Sequence, residues 1–378
     1  MIKFRAFERK DGKIDTQLCI YVILLAFFGS IIVFSAGYAY AYARYNDEFY
    51  FVKKQSLWLI VGLLTMFFSS KVPTGVYKKI TPYIYGVTLA LLLVVLLVGF
   101  VGNGAKRWIS IGPITIQPSE IAKLALIMAL AKYFDQRESK VFQKGDKSIF
   151  CNATMIPLVI MVVPIILVML QKHLSCIIIL SLIGISMIII SGANLKYIYL
   201  FSALGVAGIT SLAIFTDYTK ERITVWQNPE AYKLTGGWQT LQGLMAIGSG
   251  GLFGVGLGKS VMKHCYVSEP ANDMIFAILC EELGLLGALF TLFLFFLLIK
   301  RGITVSMRAK DTYSRLVGLG ISIKMAIQVL LNIAVVTNSI PNTGISLPFF
   351  SYGGSSLIML FLEMGILASV TKESKILK

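Results

Sequence analysis

Charge is what this sequence has least of. Asp, Glu, Lys and Arg make up 14% of its 378 residues, where a soluble globular chain carries about 25%. With 56% hydrophobic residues and a mean hydropathy of +0.77, that deficit excludes a soluble protein. So much apolar surface cannot be hidden in a core of this size, and the bilayer takes the place of solvent. Histidine is nearly absent, and the two present, His173 and His264, are too isolated to suggest a metal cage. The five cysteines (Cys19, Cys151, Cys176, Cys265 and Cys280) form no CxxC pair and no metal-ligand spacing. Most lie in or beside apolar runs, where cysteine acts as a small hydrophobe, and no disulfide framework follows. No internal repeat is visible, which disfavours an inverted-repeat transporter. Acids are also outnumbered by bases, 19 against 35. The bases sit in short clusters between apolar runs rather than along one basic face, so nucleic acid is not the partner and anionic membrane lipid is.

What is present is a series of apolar runs. A span needs about 20 apolar residues, and ten runs approach this: 17–40, 56–72, 80–101, 118–134, 153–171, 174–192, 197–216, 273–299, 313–337 and 348–370. The fold class expected is an all-α polytopic membrane protein forming one integral domain, 1–378. The first run exceeds the 7–15 residues of a signal-peptide core, which favours an uncleaved first helix over a leader ending near Ala39–Ala43. Lys and Arg concentrate in 1–16, 73–79, 135–152, 193–196, 300–312 and the tail, placing both termini inside. Residues 217–272 then form a large extracytoplasmic loop between helices 7 and 8. Its Gly-rich GSGGLFGVGLG follows no strand and so is not a nucleotide loop. It suits either a re-entrant turn lining a cavity, where exposed amides could also meet a phosphate, or close helix packing.

Ionisable residues inside spans cost about 2.5–3.5 kcal/mol each at the helix centre, so their positions carry information. In NGAKRWISIGPITIQPSEIAKL, Lys106 and Arg107 flank Trp108 where an interfacial aromatic is expected. Glu120 and Lys123 are three apart on one helix face, as a packing ion pair or a functional one. In YVSEPANDMIFAILCEELG, Asp273 opens an apolar run and reads as a helix cap or first-turn acid. Glu281 lies about 12 Å deeper at 1.5 Å per residue. Glu281 and Glu282 point about 100° apart, so they cannot share one partner in the same way. Lys324, Gln328 and Asn332 form a polar stripe that must face the bundle interior or a wet cavity, and Glu363 is placed to pair with such a donor. TNSIPNTGISLPFFSYGGSSL, with Ser351 and Ser355, has the composition of a loop lining a site. Cations near a carboxylate at a membrane surface suit an amphiphile with an anionic head group and an apolar tail. The carboxylate could act as general base while the cations hold a phosphate leaving group.

At these residues the chain resembles the shape, elongation, division and sporulation (SEDS) family of RodA/FtsW/SpoVE-like membrane glycosyltransferases. The matching segments are KRWISIGPITIQPSEIAKL, GGWQTLQGLMAIGSGGLFGVGLGKS with NDMIFAILCEELGLLG, and VVTNSIPNTGISLPFFSYGGSSL. The resemblance implies a ten-span fold and polymerisation of lipid II into glycan strands at the outer face of the cytoplasmic membrane. It also implies a class B penicillin-binding protein as transpeptidase partner and a divalent cation, Mg2+ or Mn2+. Asp273 matches the family's essential aspartate. Glu120 and Lys123 match its functional pair, and Arg107 and Trp108 match its KRW motif. The sequence departs from the family at QKHLSCI, residues 171–177, where relatives read QPHLSGT or QPDLGT. Lys172, Cys176 and Ile177 replace Pro, Gly and Thr, while His173 and Ser175 match the FtsW/SpoVE-like form. The alternatives are a flippase of lipid-linked precursors and a non-catalytic division scaffold.

Overall fold

In hydrocarbon no water is available to backbone polar groups, so an apolar run pairs its own N–H and C=O groups as a helix. The computed structural model describes residues 14–102, 105–111, 114–137, 149–192, 217–264 and 266–372. Its helices are α1 (Thr16–Tyr45), α2 (Tyr50–Lys71), α3 (Thr74–Val98), α4 (Pro118–Gln136), α5 (Ile156–Leu170) and α6 (Leu174–Ile190). They continue with α7 (Asp217–Gln227), α8 (Trp238–Gly250), α9 (Ile275–Ser306), α10 (Thr312–Val336) and α11 (Gly354–Lys372). A π-helical turn, Ile149–Met155, leads into α5.

Of the ten expected spans, those corresponding to α1, α2, α3, α5, α9, α10 and α11 are long and apolar enough to cross a membrane. The span 174–192 is the shorter apolar helix α6. The span 118–134 is α4, which carries Glu120, Lys123, Lys132 and Asp135 along its 19 residues. The span 197–216 lies outside the described residues. Two boundaries differ from expectation. The run 80–101 is not helical to its end: α3 stops at Val98, and β1 (Phe100–Gly102), β2 (Ala105–Ile111) and β3 (Ile114–Ile116) form an antiparallel sheet in the order β1-β2-β3. The run 348–370 becomes helical only at Gly354, because Phe349 adopts φ 66°, a left-handed conformation no helix accepts.

Contacts fall at two ends of the bundle. At one end Asp15 caps α1, accepting from Leu18 N at 2.9 Å, and pairs with Arg301 at 2.7 Å. There Lys78 pairs with Asp135, whose other oxygen accepts from Tyr313 N at 3.1 Å. At the opposite end the hairpin, the α5–α6 turn, α7, the 271–274 segment and the 338–353 loop converge.

The long segment 217–272 is structured, with α7, a 3-10 turn at Pro229–Tyr232 and α8. Beyond α8 its Gly-rich part lies against the middle of α9, which is broken at Gly284 (φ 66°, ψ −167°). Only glycine tolerates that conformation, and a Cβ there would strike the backbone of Leu252 and Gly254. The break frees two carbonyls and two amides about 14 Å along the helix. Val255 N and Gly256 N bond to Glu281 O and Glu282 O, both at 2.9 Å, while Leu285 N and Leu286 N bond to Gly251 O and Leu252 O at 2.9 and 3.1 Å. These four groups are thus satisfied by the loop. Of the two readings of the glycines, the contacts show close packing of loop backbone on the helix.

The two acids beside the kink serve the same junction from different faces. Glu281 accepts from Val261 N at 2.8 Å and from the Ser260 hydroxyl. Glu282 pairs with Lys263 at 2.6 Å, with Ser35 donating to its other oxygen at 2.5 Å. Both partners of the pair are fully buried. Breaking a buried pair leaves an uncompensated charge, which costs about 3–5 kcal/mol. Lys263→Met is therefore expected to lower stability by about that amount in thermal or denaturant unfolding of the detergent-solubilised protein. The double variant Lys263→Met, Glu282→Gln is expected to recover part of the loss.

Candidate active site

The polar stripe on α10 builds the site's floor. Asn332 is fully buried, and its amide donates to Asp273 O at 3.1 Å and to Ile345 O at 2.6 Å. One turn deeper, Gln328 Nε2 donates to Ser346 O at 3.2 Å. A further turn in, Lys324 pairs with Glu363 of α11 at 2.7 Å, the donor expected for that acid. One helix face thus ties α11, the 338–353 loop and the Asp273 segment into a column.

The loop is also held from outside. Ser175 of α6 donates to Thr343 O, Arg222 of α7 to Asn342 O, and Trp226 to Asn338 O at 2.9 Å. Asn342 donates to Gln239 of α8 at 3.2 Å. Against Asp273's own segment, Tyr352 N donates to Ala271 O at 2.8 Å and Ser351 Oγ to Asn272 O at 2.9 Å. Ser351 Oγ also accepts from Leu347 N at 2.7 Å, so this buried hydroxyl positions backbone.

These bonds fix the backbone around Asp273 without using its carboxylate. The cap reading is corrected here: α9 begins at Ile275 behind Met274, and no side chain caps it. Among the described residues the half-buried carboxylate accepts no hydrogen bond. Gly344 keeps the space beside it open, since a Cβ there would sit 2.9 Å from Asp273 Oδ2, and φ 69° at Gly344 disfavours any other residue. Burial pushes the Asp273 carboxyl up to about 6, with nearby Glu269 adding to the effect. The charges of Arg222 and Arg107 act in the opposite direction.

Arg107 reaches the site from β2. Its Nη2 donates to Lys172 O at 2.6 Å, joining the hairpin to the α5–α6 turn. Trp108 beside it is half-buried and pairs across the sheet with Phe100. The side chain of Lys106 lies outside the described ones. His173, next to Lys172, is buried and 3.3 Å from Ser119 Oγ. Burial, and then the charge of Arg107, lower its pKa to about 3, so the ring is neutral.

Glu120 and Lys123 form the expected pair at 2.7 Å. Glu120 also interacts with the charge of Lys324, and Lys123 with that of Glu363, giving a neutral group of two acids and two lysines across α4, α10 and α11. Glu120 and Lys324 line a small cleft together with Gln328, Ser346, Ser351 and Ser356. Ser356 rather than its half-buried neighbour Ser355 lines this cleft. Sequence reasoning missed Arg222, whose only signal is its place in the charged cluster DYTKER, residues 217–222. It also missed Ser175 as a tie to the loop.

Comparison with known proteins bears on this arrangement. The family model for the FtsW/RodA/SpoVE cell cycle proteins matches residues 15–376. The chain belongs to that family. It is 39% identical over 365 residues to stage V sporulation protein E of Bacillus subtilis (strain 168), covering 96% of this chain and 98% of that protein. It is 34% identical over 359 residues to a probable peptidoglycan glycosyltransferase FtsW of Geobacter sp. (strain M18), covering 94% and 96%. Among solved structures it resembles a chain of a peptidoglycan synthase complex described as coordinating polymerization and crosslinking, with TM-score 0.77, 26% identity and 95% and 97% coverage. It also resembles the rod shape determining protein RodA of Thermus thermophilus, with TM-score 0.71, 25% identity and 96% and 97% coverage. Like its family, this is a multi-pass protein of the cytoplasmic membrane.

Asn332 is the residue whose loss tests the column. Asn332→Leu removes both amide bonds and is expected to destabilise the protein by about 1–3 kcal/mol. In hydrogen–deuterium exchange, faster uptake is expected in 338–353 and 271–275, with α1 and α2 unchanged.

Proposed function

We propose that this family member is a peptidoglycan glycosyltransferase that polymerises lipid II into glycan strands at the outer face of the cytoplasmic membrane. The observation that carries this reading is an uncommitted carboxylate, Asp273, with open space beside it at Gly344, at the end of the bundle where the family's motifs converge. The names of the relatives support the reaction class, and the basic clusters between spans support an outer placement of this end, with 217–272 outside and both termini inside.

In the proposed step the 4-hydroxyl oxygen of the acceptor's N-acetylglucosamine attacks C1 of the donor's N-acetylmuramic acid. The C1–oxygen bond to undecaprenyl pyrophosphate breaks as the new glycosidic bond forms, with inversion at C1. The proton passes from the hydroxyl to Asp273, and the electron pair of the broken bond leaves with the pyrophosphate. A base is effective when its pKa lies near the working pH, and burial moves the Asp273 carboxyl toward that range. Arg107, with Lys106 and Lys123 as further candidates, offsets the charge developing on the leaving group. Trp108 anchors the hairpin at the interface, Glu120 orients Lys123, and Ser351 holds Asn272. Ser355 is assigned a supporting position at the start of α11.

The divalent cation implied by the resemblance does not find a resident cage: among the described residues no three His, Cys, Asp or Glu side chains come together. Mg2+ or Mn2+ enters the proposal only as a companion of the substrate's phosphates, which commonly supply ligands to such ions, and no step is derived through it. A class B penicillin-binding protein is the proposed partner. The likeness to a synthase complex that couples polymerization to crosslinking supports this assignment.

The test uses the purified protein with its transpeptidase and labelled lipid II. Asp273→Asn is expected to reduce polymer formation at least about 100-fold, the range for loss of a positioned base. Undiminished polymer would overturn the base assignment, and precursor translocation without polymer would favour a flippase. The base works ionised, so wild-type turnover is expected to rise with pH through about 6 and then level. A rate that is flat between pH 5 and 8 contradicts that role.

A further inference from the structure

The α5–α6 turn carries a feature that the reaction as described does not use. Lys172 adopts φ 52°, a left-handed conformation uncommon for a residue with a side chain. Many relatives of the family carry proline here, and proline, fixed near φ −65°, cannot enter that region. In this conformation the Lys172 carbonyl meets Arg107 Nη2 at 2.6 Å. The Lys172 side chain is exposed and forms no hydrogen bond or ion pair among the described residues. Arg107 is itself incompletely satisfied, since its Nε is buried and has no partner. A buried charged donor left unpaired is costly, and it points to an acceptor that arrives with a ligand.

We propose that Lys172 and Arg107 form an anion cradle that takes the phosphate of a lipid-linked substrate. Lys172 is a binding residue particular to this chain. Resting on the polymerase reading above, the cradle holds the pyrophosphate of the donor before transfer. Arg107 contributes the charged Nε donor, its Nη2 being occupied by the turn. Lys172 contributes a flexible ammonium at the exposed rim. The same chemistry would also accept an anionic lipid head group, so the test separates the two sources.

Wild type, Lys172→Gln, Lys172→Arg and Lys172→Pro are reconstituted with the transpeptidase partner in zwitterionic nanodiscs. Binding of undecaprenyl pyrophosphate is measured against undecaprenol, which lacks the phosphates. Lys172→Gln is expected to weaken pyrophosphate binding about 3–10-fold, the net worth of one hydrogen bond at an exposed rim, and to flatten its salt dependence while leaving undecaprenol unaffected. Lys172→Arg is expected to retain wild-type binding. Lys172→Pro is expected to weaken binding at least as much as Lys172→Gln, because it removes the charge and forbids the turn. With lipid II, Lys172→Gln is expected to raise KM by the same factor with kcat within about twofold. Equal pyrophosphate binding by wild type and Lys172→Gln would overturn the proposal. So would a variant that only loses retained phosphatidylglycerol in mixed nanodiscs, which would assign the cradle to membrane lipid. A wild type that binds pyrophosphate through Lys172 but makes no polymer would reject the polymerase reading and leave the cradle standing.

Discussion

A polar group inside hydrocarbon must find its partner within the protein, and this constraint organises the molecule. On α10 it is met three times on one face, by Lys324 to Glu363, Gln328 to Ser346 and Asn332 to Asp273 and Ile345. These partners belong to α11, to the 338–353 loop and to the segment before α9. Satisfying one helix's polar stripe therefore assembles three separate parts of the chain at one end of the bundle. The same constraint acts on α9, where the kink at Gly284 would strand four backbone groups if 251–256 did not bond to them. Loop and helix are mutually required, and the Lys263–Glu282 pair closes the junction.

The site follows from what these bonds leave free. The backbone around Asp273 is held by Asn332, Ser351 and Tyr352, all acting on main-chain carbonyls. The carboxylate takes no part in that scaffold. Half-buried, and given room by Gly344, it has its proton affinity raised by burial, against which the charges of Arg222 and Arg107 act. A cap or a structural ion pair would have committed the same group to folding. The backbone of this short segment is thus tied into the scaffold while the carboxylate is left out of it.

Much of this was legible in the sequence, for stated reasons. Apolar runs between basic clusters showed a polytopic helical protein because hydrophobic length is a local property. The spacing of Lys324, Gln328 and Asn332 showed an inward stripe, and the i, i+3 spacing of Glu120 and Lys123 showed their pairing. The adjacency of Glu281 and Glu282 showed that they would diverge. Partners distant in sequence were hidden: Lys263 for Glu282, Arg222 for the 338–353 loop, Ser175 for Thr343. None leaves a periodic trace, because each arises where elements meet. The end of α3 was misjudged because the apolar Phe100 and Val101 serve a strand as well as a helix.

The turn QKHLSCI, where the sequence departs from the family's motif, is held by contacts of its own. Cys176, in place of glycine, is buried with its thiol 3.7 Å from Ser119 O, and Ser175 still reaches Thr343 O. Ile177 is buried and belongs to the apolar core, where the family's threonine would present a hydroxyl. The turn is therefore anchored to α4 and to the loop beside Asp273. What the substitutions alter lies on the turn's outer side, where proline becomes a lysine with its carbonyl turned to Arg107. The inner contacts tie the turn to the bundle, while its outer surface carries the exposed side chain of Lys172.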